Sequence, residues 1–202
     1  MYWLGGSSCA GKSTIAELFE NELGFDIYPI DPKWMGDHLH AADPERHPGM
    51  VKYRESLGPS IQEIFETVPV EDLVELQINF FTEEFEMIVD DLYEFPKDRP
   101  ILAEGTALFP SQVGPVTESH QAIWLVATQT FERKIRQQRN EQLPEWNFEM
   151  GPWFDSMITW SSKRKERTTA QAEQLGLKVI ETDGSRSVQE TFDMIKSHFK
   201  LT

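Results

Sequence analysis

Two rhythms of apolar and polar positions share this chain. Tyr2 to Leu4 is a short apolar run that ends in glycine and predicts a first strand. Over 12–23, Ile15, Leu18, Phe19 and Leu23 recur at helical spacing, and Gly24 stands where a helix-closing glycine belongs. Phe25 to Ile30 alternates loosely and predicts a second strand, closed by Asp31-Pro32. The stretch 37–60 is rich in Pro, His and Gly and predicts irregular structure. A long helix is expected over 71–93, with Leu73, Leu76, Phe80, Met87, Ile88 and Leu92 facing inward. Ile101 to Ala103 and Ala122 to Ala127 predict buried strands. A basic helix follows over about 130–141, and two prolines and a glycine interrupt 143–154. A helix over about 155–175 then stops at Gly176, ahead of a fifth strand at Leu177 to Ile180. Ser187 and Glu190 form a capping-box pattern for a last helix carrying Val188, Phe192, Ile195 and Phe199. Strands alternating with helices predict an α/β fold with a mainly parallel sheet, whose ligands sit beyond the carboxyl ends of the strands. Gly5 onward, Asp31, Glu104 and Asp183-Gly184 all fall at such ends.

The first of these ends carries the most specific chemistry. Gly6-Ser7-Ser8-Cys9-Ala10-Gly11-Lys12-Ser13 satisfies G-x-x-x-x-G-K-[ST] without a mismatch, and Thr14 follows. Glycines let the backbone curl so that successive N–H groups point inward and form an anion nest, and the next helix adds its positive N-terminal end. Lys12 is expected to reach the β- and γ-phosphates of a nucleotide, and the Ser13 hydroxyl to ligate Mg²⁺. A glycine-rich turn with a chance lysine is the alternative; the strand before and the amphipathic helix after favour the phosphate loop. Cys9 could act as a redox switch or contribute only its backbone N–H.

The other strand ends are less specific. Asp31 either orients or deprotonates an acceptor hydroxyl, or holds the water shell of Mg²⁺, or simply opens an Asp-Pro turn. Glu104 either tunes Mg²⁺ or begins a turn with Gly105. Arg133, Arg136 and Arg139 recur every third residue and share a helix face; they read as phosphate-gripping forks or as a solvated basic face. The aromatic stretch Trp146, Phe148, Trp153 and Phe154 either forms a satellite core or closes over substrate. His38, His40 and His47 match no zinc spacing and sit where an acceptor pocket is expected, with Arg46, Lys52 and Arg54 as anion contacts.

Composition narrows the partners. The 202 residues, 39% apolar and 26% charged, suit one globular domain over 1–202. No apolar run approaches the length of a membrane span, no leader pattern is visible and a single Cys excludes an internal disulfide, so a cytoplasmic monomer or homodimer is expected, without membrane partners. The net charge of −15 argues against a nucleic-acid partner. Eight of the nineteen basic residues fall in two runs, Arg133, Lys134, Arg136, Arg139 and Lys163, Lys165, Arg164, Arg167, so the positive charge that phosphate needs is concentrated locally.

In order along the whole chain, GGSSCAGKST, IDPKW, LAEGTALFP, FERKIRQQR and ETDGSRS resemble the P-loop small-molecule kinases: nucleoside monophosphate, shikimate and gluconate kinases and chloramphenicol-phosphotransferase-like proteins. The resemblance implies a three-layer fold with a five-stranded parallel sheet in order 2-3-1-4-5. It implies a helical acceptor-binding insertion over about 34–99 and an arginine-bearing lid over about 133–165. It implies Mg·ATP on residues 6–14, with Arg133, Arg136 and Arg139 in or beside the lid. Asp183, Gly184, Ser185 and Arg186 would lie near the adenine, and Asp31 would be the acceptor-side carboxylate. No G-[FY]-P-R follows the third strand; Glu104-Gly105-Thr106 stands there, which departs from a nucleotide acceptor. The expectation is an ATP-dependent transfer of a γ-phosphoryl group to a small hydroxyl- or phosphate-bearing metabolite. The competing readings are a nucleotide-binding switch or slow NTPase working through a protein partner, and a nucleotide sensor.

Overall fold

The computed structural model describes residues 1–56, 60–142 and 149–201. Five parallel strands form its centre: β1 (Tyr2–Gly6), β2 (Asp26–Pro29), β3 (Ile101–Glu104), β4 (Ala122–Ala127) and β5 (Lys178–Thr182). Their order is β2-β3-β1-β4-β5, as the resemblance implies. In register, Leu4 and Pro29 both sit opposite Glu104, and Gly6 sits opposite Leu125. All five carboxyl ends therefore face one rim.

Alternation along the strands sends neighbours to opposite faces. Leu4, Leu102, Ile123, Leu125 and Ile180 pack against α1 (Lys12–Leu23) and, late in the chain, α10 (Val188–His198), through Ile15, Phe19, Phe192 and Ile195. Trp3, Tyr28, Ala103 and Trp124 face the other way, toward α6 (Val70–Glu94). Each large side chain fully buried here, such as Phe19 or Trp124, contributes roughly 1.5–3 kcal/mol. The helix caps follow the sequence: Gly24 closes α1 in a left-handed conformation, and Ser187 and Glu190 form a reciprocal capping box on α10.

The region after β2 departs from expectation. Residues 37–60 read as irregular, yet they hold α3 (Asp37–Ala41) and α4 (Pro48–Ser56), with α2 (Asp31–Met35) before them and α5 (Ile61–Thr67) after. Pro32 does not end an extended run; it occupies the first turn of α2, where its missing N–H costs nothing. Long-range partners hold these short helices: Glu83 of α6 accepts from the N–H groups of Gly49 and Met50 at 2.9 and 2.8 Å, acting as an external cap for α4. After β3 comes the short α7 (Pro110–Val113); after β4, α8 (Gln129–Gln142); and then α9 (Pro152–Gln174), which starts three residues earlier than expected. That early turn exists because Trp153 and Phe154 join Phe65, Leu73, Met157 and Ile158 in a satellite core. Trp146 and Phe148 lie outside the described residues. No described helix is long and apolar enough to cross a membrane.

Candidate functional site

At the strand-end rim, β1 runs into a loop that only particular residues can form. Gly6 and Gly11 have φ of 124° and 90°, and Cys9 takes a left-handed φ of 60°. A Cβ on Gly6 would lie 1.8 Å from the Leu125 carbonyl oxygen, so strand pairing itself demands glycine there. A Cβ on Gly11 would meet nothing within 4 Å among the described residues, which leave the concavity in front of α1 open. Among the described residues no side chain caps the N-terminus of α1, which leaves its first N–H groups to face that concavity. Ser7 is structural: its N–H donates to Leu125 O at 2.9 Å, and its hydroxyl accepts from Ala127 N–H at 2.8 Å.

Lys12 is buried and donates Nζ–H to the Ser7 carbonyl at 2.9 Å, across the loop it closes. Burial pushes its ammonium below the usual range, and Asp31 and Glu104 nearby oppose that. Ser13 donates its hydroxyl to Glu104 Oε1 at 3.2 Å. Glu104 is buried at the end of β3, its carboxyl is pushed up by burial against the pull of Lys12, and its Oε2 has no partner among the described residues. Asp31 sits across from them at the end of β2. Thr106 pins its Oδ1 with two donors, the backbone N–H at 2.8 Å and the hydroxyl at 2.9 Å. A nest of N–H groups, a lysine, a hydroxyl and a carboxylate oxygen in want of a partner are donors and acceptors fit for a triphosphate and Mg²⁺, which keeps several waters and takes few protein ligands. Ser13 and Glu104 are the residues that could hold the ion.

Beside the loop lies a cavity of about 280 Å³, between α1, α8 and the segment after β5. Cys9, Ala10, Gly11 and Thr14 form its floor, Phe131, Ile135 and Arg139 one wall, and Asp183, Gly184 and Arg186 the other. Asp183 Oδ1 accepts from Ser185 N–H and Oγ–H at 2.9 and 2.6 Å, which shapes the turn. Gly184 is required there: its φ is 85°, and a Cβ would approach Phe131 to 2.8 Å. Burial pushes the Cys9 thiol up despite Arg136, Arg139 and Lys12, so Cys9 is a poor thiolate and suits a backbone role.

The three spaced arginines part company. Arg139 reaches the cavity wall. Arg136 is bound by Glu132, whose Oε1 accepts from both Nε and an Nη at 2.8 Å, while Oε2 accepts from Ser161 at 2.8 Å. Arg133 pairs with Asp155 at 2.7 Å and lies over the Phe154 ring, away from the cavity. Arg46 pairs with Glu86, Arg54 donates to Leu39 O, and His38 and His47 bind Glu84 and Glu86 of α6, so these four side chains are engaged by the chain itself, while Lys52 is exposed.

One residue here stands out from the structure and not from the sequence. Arg164 reads as one member of a basic run, yet it is buried, 7% exposed, with its guanidinium over the rings of Phe81 and Trp160. Its neighbour Lys165 anchors α9 to the end of β4 through Ala127 O at 3.0 Å. The only available signal was the helical phase that puts Ile158, Ser161, Arg164 and Thr168 on one face of α9.

No family profile and no curated protein matches the chain. Solved structures do. Shikimate kinase from Acinetobacter baumannii in complex with shikimate aligns at 16% identity and a TM-score of 0.50, over 96% of this chain and 88% of that one. Deoxyadenosine kinase from M. mycoides with bound dATP aligns at 13% identity and a TM-score of 0.50, over 98% of both chains. At such identities the likeness establishes the fold, a P-loop kinase fold, and no more than the fold.

Proposed function

We propose that this chain is an ATP-dependent phosphotransferase that moves the γ-phosphoryl group of Mg·ATP to a small hydroxyl- or phosphate-bearing molecule. The observation that carries the reading is the flanking of one phosphate loop by two different environments: a cavity against Arg139 and Asp183–Arg186 on one side, and a Thr106-pinned Asp31 on the other. In this reading the second environment serves the acceptor.

In this reading the triphosphate lies on residues 6–14, and the cavity takes the nucleoside. Lys12 exchanges the Ser7 carbonyl for phosphate oxygens, a charge-assisted bond in place of a neutral one. Ser13, with Glu104 behind it, would hold a magnesium ion, which would supply charge neutralisation on the phosphate oxygens. Asp31 keeps Oδ1 fixed by Thr106 and presents Oδ2 to the acceptor hydroxyl, orienting it and taking its proton as the new P–O bond forms and the bond to ADP breaks. Arg136 and Arg139 stabilise the transferring charge, each such donor being worth about 2.7–4 kcal/mol in a water-excluded site. Arg133 acts at a remove, holding α8 to the start of α9.

The test is Mg·ATP with pooled metabolites, read by mass spectrometry for a phosphorylated product. Turnover should depend on one class of metabolite and fall by about 10²–10³ in Lys12→Ala. ADP formation that ignores every metabolite and rises with a protein partner would instead mark a switch.

A further inference from the structure

Side chains from β2, α2, α3 and α6 meet close to Asp31. His38 of α3 is joined through Nδ1 to Glu84 Oε1 of α6 at 2.8 Å, and its Nε2 lies 3.4 Å from Asp91 Oδ2. Tyr28 of β2 donates its hydroxyl to the same Asp91 oxygen at 2.6 Å. Lys33 of α2 lies 3.5 Å from that oxygen and 3.7 Å from Asp37, the first residue of α3. The pair at the centre is out of water: Glu84 is fully buried and His38 nearly so. Glu84 Oε2 has no hydrogen-bond partner among the described residues, and besides His38 the charge that acts on this carboxyl is Asp31.

The cluster fastens a helix that cannot hold itself. α3 has five residues, too few to be stable alone. Its other attachments are Leu39, packed in the core, and the Leu39 carbonyl, which accepts from Arg54. Only Gly36 separates α3 from α2, which Asp31 opens, so a shift of α3 is passed to Asp31. Burial lifts Glu84 from 4.5 to about 6; burial lowers His38, but its bonds to Glu84 and Asp91 raise it overall. A fastened α3 therefore holds more protons than a released one. Its advantage is complete below the released values and is lost as pH rises through the fastened ones. Above them Glu84 is a buried anion that faces Asp31 with one oxygen unbonded, and releasing α3 returns it to water. None of these residues lines the nucleotide-side cavity.

We propose that Glu84 and His38 are positioning residues that hold α2 and α3, and Asp31 with them, against α6, and that this hold loosens as pH rises while the nucleotide side is untouched. The consequence for turnover rests on the phosphotransferase reading, in which Asp31 orients the acceptor: the acceptor side is best ordered in mildly acidic solution. The fastening itself does not rest on that reading.

Hydrogen exchange of wild type, Glu84→Gln and His38→Asn is followed by mass spectrometry between about pH 5 and 7.5, each rate being divided by the intrinsic rate at that pH. Wild-type protection over α2 and α3 should fall by up to about thirtyfold, the factor supplied by a carboxyl moved from 4.5 to about 6. It should stay below the protection of α10 at every pH, the mark of a local opening. Glu84→Gln should flatten the profile, because the amide still meets His38 but does not titrate. His38→Asn should move the fall to higher pH, since His38 opposes the rise of Glu84. Equal protection in α3 and α10 would assign the pair to global stability and overturn the proposal. So would a profile that Glu84→Gln leaves unchanged, or α2 amides that do not follow α3. Mg·AMPPNP affinity should vary with pH alike in wild type and Glu84→Gln; an affinity that tracks Glu84 would overturn the separation of the two sides. Should Mg·AMPPNP not bind wild type, the phosphotransferase reading fails, and exchange still decides the fastening. His38→Asn keeps the question answerable if Glu84→Gln does not fold.

Discussion

The Glu132–Arg136–Ser161 cluster can be tested with numbers. Glu132 is 1% exposed on α8, and Arg136 one turn later has a side chain 14% exposed. Glu132→Ala removes an acceptor that serves Nε and Nη of Arg136 and the Ser161 hydroxyl together. It leaves a guanidinium and a hydroxyl desolvated without partners. Breaking a buried pair costs about 3–5 kcal/mol; the partial exposure of Arg136 points to the lower end, about 3 kcal/mol. For a chain of this size that lowers the melting temperature by roughly 6–12 °C. The assay is urea unfolding of wild type, Glu132→Ala, Arg136→Ala and the double variant. Contact makes the pair non-additive, with a coupling above about 1 kcal/mol, because the second substitution removes a charge that the first has already stranded. Stability losses that simply add, within about 0.5 kcal/mol, would refute the claim that Glu132 holds Arg136. In the phosphotransferase reading Glu132→Ala also lowers kcat more than it changes the KM for Mg·ATP, since Arg136 would then be misaimed and not absent.

Two other predictions concern backbone and pH. Gly6→Ala and Gly11→Ala both place a side chain at positive φ, but only the first drives a Cβ into the Leu125 carbonyl; Gly6→Ala should lose more than about 4 kcal/mol, or all soluble protein, while Gly11→Ala loses about 1–2 kcal/mol by urea unfolding. The buried pair Glu84–His38, joined at 2.8 Å and flanked by Asp91, Lys33, Tyr28 and Asp31, should make stability fall as pH rises. Burial lifts Glu84 from 4.5 to about 6, and although burial alone lowers His38, its bonds to Glu84 and Asp91 raise it overall. Folded protein thus holds more protons than unfolded between about pH 5 and 7, so each group's contribution is complete below its unfolded pKa and is lost as pH passes its folded one. Glu84 accounts for up to about 2 kcal/mol of that fall; Glu84→Gln should flatten the profile measured between pH 5 and 7.5, and an unchanged slope would refute the assignment.

The sheet and its phosphate loop are legible in the sequence because local rules govern them. A strand buried on both faces needs an unbroken apolar run, as in Ala122–Ala127, and the loop needs glycine at Gly6 and Gly11 for steric reasons that act within a few residues and one adjacent strand. Helix α1 announces both its ends for the same reason. The short helices after β2 are not legible, because nothing local stabilises a five-residue helix. Helix α4 is capped by Glu83, thirty-four residues from Gly49, and α3 is held by His38 on Glu84.

The same distinction separates the two halves of the candidate site. The loop side is a sequence motif because the residues that would hold an anion are consecutive in the chain. Asp31, Thr106 and Arg164, which the structure brings together on the other side of the loop, lie seventy-five and fifty-eight positions apart, and no spacing rule links them. Arg164 hides best of all. In a basic run a solvated face is the ordinary outcome, and an arginine becomes informative only when packing shows that it has been removed from water without a partner. A chain of net charge −15 has many carboxylates with which to neutralise one buried guanidinium. Of these, Asp31 acts on it most strongly and Glu132 less, and among the described residues neither comes within ion-pair distance of it, so the packing of α9 against Phe81 and Trp160 and not charge pairing is what fixes its place.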